Sequence, residues 1–167
     1  DHYGLTLILG GAESSLWDLT KAYATLAGTV NHYTNTSDEY FENELAEPIL
    51  LSNEQVDFGA RSLNKTFLGA GSIFLTLEAL KTANRPEGNT AWEYFSSSGT
   101  VAWKTGTSFG NRDAWAIGVT PRFAVGVWVG NADGEGRPEM TGLRYAAPLL
   151  FEAFNFLPSS GWFSTPD

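Results

Sequence analysis

Lys104-Thr105-Gly106-Thr107-Ser108 gathers a cation, three hydroxyls and a glycine into five consecutive residues. Such a run suits the binding of a peptide carboxylate. Gly106 has no Cβ, so a second backbone can approach it closely and pair as an added strand. In an extended chain Thr105 and Thr107 alternate in direction from Gly106 and offer hydroxyl donors to a carboxylate. A backbone amide here, that of Thr107, can face a developing oxyanion. Lys104 adds positive charge that stabilises an anionic ligand and depresses the pKa of a nearby acid. The triplet Lys-Thr-Gly alone is weak evidence, because it arises by chance and equally suits a polar edge strand with one solvated lysine. Its setting has to decide.

From Thr100 onward the apolar pattern is that of strands. Residues 101–103 lead into the lysine, and runs at 114–119 and 123–129 flank Thr120-Pro121-Arg122, a spacing that suits a tight antiparallel hairpin. Phe123, Val125, Val127 and Val129 share one face of the last strand, and Ala124, Gly126 and Trp128 the other. Neither strand alternates apolar with polar, which predicts a sheet covered by helices on both sides. Three segments can supply them. Ser15-Leu16-Trp17-Asp18 reads as a capping box in which the serine hydroxyl and the Asp18 carboxylate serve free amides, opening a helix over 15–27 that Gly28 stops. Ile73, Phe74, Leu77 and Leu80 predict a helix over 72–84. A closing helix over 146–157 has Pro148 in its first turn and Leu149, Leu150, Ala153, Phe154 and Leu157 as its buried stripe. Residues 5–9 read as a loop or brief strand. The stretch 29–70, with Asn31, Asn35, Asp38, Glu39, Glu42 and Glu44, reads as an irregular acidic surface. The domain is expected over 1–157, with Pro158-Ser159-Ser160-Gly161 opening a linker over 158–167.

Composition narrows the functional classes. The 167 residues are 43% hydrophobic and 17% charged, which fits one ordered domain or most of one. A net charge of -9, with lysines and arginines scattered singly, repels polyanions and excludes nucleic acid as a partner. Two histidines, His2 and His32, and no cysteine leave too few soft ligands for a zinc or iron–sulfur site, so no metal or other cofactor is expected. No apolar run approaches the ~20 residues that span a bilayer. Residue 1 is Asp and the sole methionine is Met140, so a fragment is expected, with any anchor lying upstream.

The stretch from Lys104 to Gly130, through Arg112-Asp113-Ala114-Trp115-Ala116-Ile117-Gly118 and Val125-Gly126-Val127-Trp128-Val129-Gly130, resembles class A, bifunctional penicillin-binding proteins. Leu9-Gly10-Gly11, Ala22-Tyr23-Ala24-Thr25-Leu26-Ala27 and Gly142 through Ala146-Ala147-Pro148 to Leu150 agree, in the right order. Trp103 and the Arg112 to Gly118 stretch resemble the 1C type best. The resemblance covers the chain from Leu7 to Leu157 and is weakest over 29–70. It implies an α+β fold, an antiparallel sheet flanked by helices, as part of a serine β-lactamase/penicillin-binding transpeptidase-like fold. It also implies acyl transfer at the cell envelope, in the periplasm, with peptidoglycan stem peptides and β-lactams as partners. A serine in a Ser-x-x-Lys motif attacks a D-Ala-D-Ala peptide, a Ser-x-Asn motif assists proton movement, and the Lys-Thr-Gly strand binds substrate and completes the oxyanion hole. Lys104, Thr105, Gly106 and Thr107 take the third role by position. Ser108 is adjacent, and Asp113 and Trp115 are expected to fix the hairpin.

In this family the first two motifs precede the part resembling 7–27, so both are expected upstream of Asp1 and the fragment alone is expected to be inactive. Ser62-Leu63-Asn64-Lys65 matches both patterns at once, but one serine cannot be nucleophile and proton shuttle together, and the segment falls where the family has neither. It is expected to be a chance match. A sheet lacking its N-terminal strands is expected to expose an edge, or to cover it by oligomerisation. The competing reading from another class is a non-catalytic module that binds peptidoglycan or a protein partner.

Overall fold

Ser15 opens the first long helix with its side chain: its Oγ accepts the Asp18 amide at 3.0 Å and donates to Asp18 Oδ2 at 2.6 Å. The expected box is therefore altered in its second half, the Asp18 carboxylate holding the serine hydroxyl. The computed structural model describes residues 4–9, 11–49, 55–65, 67–82 and 100–167. A 3-10 turn, Gly4–Leu9, stands where a loop or strand was expected. Helix α1 runs Leu16–Asn35, well past the predicted stop at Gly28. A glycine inside a helix costs about 1 kcal/mol. Val30, fully buried just beyond it, gains about 1.5–3 kcal/mol from burial, so packing carries the helix through. Ser37 and Asp38, both at positive φ, turn the chain away after it.

The segment expected to be irregular contains structure. Strands β1, Tyr40–Phe41, and β2, Arg61–Ser62, form a short antiparallel ladder. Tyr40 also starts the next helix, because its hydroxyl accepts the buried Ala70 amide at 3.0 Å. That interaction replaces a side-chain cap, since Gly69 precedes the helix. Helix α2 spans Ala70–Lys81 and buries Ala70, Ile73 and Leu77. It begins two residues before the predicted start, and Asn84 of the predicted end lies outside the described residues.

Strands β3, Ala102–Thr107, β4, Asp113–Val119, and β5, Ala124–Gly130, form one antiparallel sheet in the order β3-β4-β5. The turn is tightened by Thr120, whose amide donates to the Phe123 carbonyl at 2.9 Å while its Oγ1 accepts the Phe123 amide at 3.1 Å. Phe123 thus belongs to the turn. Lys104 pairs with Ile117, Gly106 with Trp115, and Trp115 with Trp128.

Helices cover both faces. Ala102, Val119 and Ala124 pack with Ala27, Val30, Ile73 and Leu77 of α1 and α2. On the other side Val125, Val127 and Val129 pack with Ala147, Leu150, Phe151 and Phe154 of α3, Ala147–Asn155. Two glycines let the helices close in. A Cβ on Gly126 would lie 2.0 Å from Thr20 Oγ1 on α1, and one on Gly118 would lie 2.8 Å from Phe154 Cε2 on α3.

Helix α3 starts from a π-turn, Gly142–Ala146, rather than directly at 146. Its buried stripe is Ala147, Leu150, Phe151 and Phe154. Leu149, predicted to be buried, is exposed, and Phe151 takes its place. In the segment 158–167, Phe163 is buried in the core between α1, α2 and β3, and Trp162 donates its indole N–H to Glu78 of α2. No helix among the described residues is long and apolar enough to cross a membrane.

Candidate functional site

Strand β3 carries the expected site, and its alternation sorts the residues between the two faces of the sheet. Lys104 and Gly106 point to the α1/α2 side with Ile117 and Trp115, while Thr105 and Thr107 point to the α3 side with Ala116 and Ala114. Among the described residues β3 pairs with β4 alone, so its other edge presents backbone donors and acceptors without a strand partner there. Trp103, one step before Lys104, is buried against Phe151 with ring centroids 5.1 Å apart. The strand is therefore anchored at its buried start and exposed towards its end.

Lys104 is exposed, and its Nζ donates to the Thr105 carbonyl. Gly106 lies beside Trp115, and a Cβ there would sit 3.6 Å from Trp115 Cβ, an ordinary contact. Within the described residues, then, the space around Gly106 would accept an alanine, and the closeness expected of this glycine applies only to a ligand backbone. The Thr107 hydroxyl oxygen accepts the Gly142 amide at 3.0 Å.

Ser108 has a different employment. Its Oγ accepts the Asp113 amide at 2.8 Å and its own amide donates to the Asp113 carbonyl at 3.0 Å, closing the connection between β3 and β4. At the tip of that connection Phe109 is 95% exposed. Asp113 Oδ1 accepts the Trp128 indole N–H at 2.9 Å, and the Trp115 and Trp128 rings lie 6.5 Å apart. Asp113 and Trp115 thus join β4 to β5.

The loop 131–140 supports the same corner, a feature its Gly- and Asp-rich composition hides. The Arg137 amide donates to the Asn111 carbonyl at 3.1 Å, and Asn111 Nδ2 donates to the Met140 carbonyl at 3.2 Å. Gly136 lies so close to this turn that a Cβ would fall 2.1 Å from the Gly110 oxygen. Gly110 and Asn111 take up the bend with φ of 74° and 55°.

Ser62 and Lys65 stand elsewhere in the fold. Ser62 lies on β2, in the small ladder, and its Oγ accepts the Asn64 amide at 3.1 Å, as a turn residue does. His32 contacts Glu44, His2 lies outside the described residues, and no group of three or more metal-ligating side chains occurs among the described ones.

The chain, an α+β unit whose Lys-Thr-Gly strand flanks a hairpin covered by helices, is similar over most of its length to penicillin-binding proteins. The chain is 31% identical over 157 residues to penicillin-binding protein 1C of Escherichia coli (strain K12), covering 93% of this chain and 17% of that protein. It is 27% identical over 161 residues to penicillin-binding protein 1A of Mycolicibacterium smegmatis, covering 96% of this chain and 19% of that protein. Against penicillin-binding protein 1A of Mycobacterium tuberculosis the identity is 28% over 135 residues, with 77% and 15% covered. The chain thus spans less than a fifth of the length of these relatives. No family model matches it, and no solved structure matches it.

Proposed function

We propose that this chain is the C-terminal part of the transpeptidase domain of a 1C-type penicillin-binding protein and supplies the substrate-binding strand of a peptidoglycan D,D-transpeptidase. A serine oxygen from a Ser-x-x-Lys motif outside these residues attacks the D-Ala-D-Ala carbonyl. The bond to the terminal D-Ala breaks, and an amine of a second stem peptide takes the acyl group and releases the serine. β-Lactams acylate the same serine. The stem peptide lies along the edge of β3 away from β4 as an added strand. Lys104 supplies positive charge beside the reacting serine, Thr105 and Thr107 hold the carboxylate, Gly106 admits the ligand backbone, and the Thr107 amide contributes to the oxyanion hole. Ser108 shapes the turn that ends the strand. The parent protein is anchored to the inner membrane with this part in the periplasm, needs no cofactor, and binds no nucleic acid. The edge of β3 away from β4 is also where copies of the isolated chain would associate.

One observation supports this reading above the others: the Lys104 to Thr107 run lies on a strand paired on one side only, among the described residues, in a chain matching penicillin-binding proteins over most of its length. Labelling of the full-length protein by a fluorescent penicillin tests it. Covalent label is expected on the parent and lost in Lys104→Ala. Label that persists undiminished in Lys104→Ala would remove Lys104 from the site, and an unlabelled parent would favour a non-catalytic binding module.

A further inference from the structure

We propose that Gly142 is a positioning residue, whose amide aims the Thr107 hydroxyl proton at the carboxylate of a ligand lying along β3. The inference rests on the reading of Thr107 as a carboxylate donor. A hydroxyl has one proton and two lone pairs, and it rotates to suit its neighbours. The Gly142 N–H fills one lone pair of Thr107 Oγ1 at 3.0 Å, across 35 residues of sequence. An oxygen so occupied keeps its proton for another acceptor, and the rotor loses the orientations that would point the proton back at the amide.

The position tolerates no side chain. A Cβ at residue 142 would lie 2.3 Å from the Gly106 oxygen, 2.4 Å from the Trp115 oxygen and 3.1 Å from the Gly106 nitrogen. These are backbone atoms of two paired strands, which cannot swing aside as a side-chain tip can. Only a glycine brings its amide this close. The chain around it is built for the approach, because Gly142 begins the π-turn, Gly142–Ala146, and π-turns are uncommon single-turn insertions that cluster at functional sites. Thr141 caps that turn, its side chain accepting the Arg144 amide at 3.3 Å.

A double-substitution cycle in the full-length protein tests the coupling, read as the second-order rate of acylation by a fluorescent penicillin. Thr107→Val removes the hydroxyl and is expected to slow acylation about tenfold. Gly142→Ala is expected to slow it at least as much, because its Cβ would displace the Gly106 backbone as well as the amide. If Gly142 works through Thr107, the double variant is no slower than the worse single one. A double variant slower by about a hundredfold, the product of the two, would overturn the positioning role while leaving the transpeptidase reading intact. A wild-type protein that takes no penicillin would overturn both. Should Gly142→Ala fail to fold, Thr141→Ala loosens the same turn more gently. Its expected two- to threefold loss disappears in the Thr107→Val background, and a loss that persists there counts against the proposal.

Discussion

Glu44 Oε2 lies 2.7 Å from His32 Nδ1, in a site where Glu44 is only 3% exposed. The same carboxylate accepts the Phe41 amide at 2.9 Å through its other oxygen and the Thr29 hydroxyl at 3.4 Å. Phe41 and Phe58 meet the imidazole edge-on, with centroids 4.9 and 4.6 Å from it. One acidic side chain thus satisfies helix α1 and strand β1 together. Glu44→Ala removes the acceptor of the part-buried Phe41 amide, while the Thr29 hydroxyl keeps the Thr25 carbonyl at 2.9 Å, and is expected to cost about 1–3 kcal/mol. Urea unfolding measures it, and a loss under about 0.5 kcal/mol, the range of ordinary surface changes, would show that the cluster carries no stability.

Gly126 and Gly71 make a contrasting pair. A methyl on Gly126 meets Thr20 and Leu16 of α1, so Gly126→Ala is expected to destabilise by about 1–3 kcal/mol through overpacking. Gly71, in the first turn of α2, has nothing within 4 Å of the added carbon, and Gly71→Ala is expected to stabilise by about 0.5 kcal/mol. Opposite shifts in melting temperature are the expected result. Shifts of the same sign would contradict the packing described here.

Glu78 has a carboxyl held below its ordinary 4.5 chiefly by the hydrogen bond from Lys81; burial opposes this, and the Trp162 indole adds a smaller lowering. A depressed folded-state pKa stabilises the ionised form. Its contribution is present above about 4.5 and is lost as pH falls through the lower folded value. Glu78→Gln is therefore expected to lower the melting temperature near neutral pH and to converge with the wild type in acid. A difference that stays constant from neutral pH into acid would show that ionisation plays no part.

The chain by itself offers a direct check on the location of the nucleophile. After incubation with a penicillin, its intact mass is expected to be unchanged. An acyl adduct of one equivalent mapped to Ser62 would instead make the Ser62-Leu63-Asn64-Lys65 match the catalytic motif.

The hairpin of β4 and β5 was legible because its information is local. Thr120-Pro121-Arg122 marks the reversal, and the flanking apolar runs leave one register in which both faces stay covered. The strand bearing Lys104 was legible for the same reason. What escaped was set by distant partners. Gly28 reads as a stop until Val30 is seen to be buried, and Glu44 reads as surface until His32, Phe41 and Thr29 surround it. The stripe on α3 was read out of phase at Leu149 because no sequence signal announced the π-turn that feeds the helix. Nor does anything in Trp162-Phe163 reveal that Phe163 enters the core beside α2. For the candidate site, the sequence points only to residues of the strand, while the amide that meets Thr107 comes from Gly142, and only the tertiary fold brings the two together.

Gly118 and Gly126 lie on neighbouring strands and face opposite helices, so each face of the sheet admits one helix close to its backbone at one point. Their freedom to vary is therefore not their own. A larger residue at 118 requires Phe154, Val101 or Leu150 to shrink, and one at 126 requires Thr20 or Leu16 to do so. A side chain at either site thus calls for a matching loss on the helix it faces, and the two glycines set how closely α1 and α3 approach the sheet.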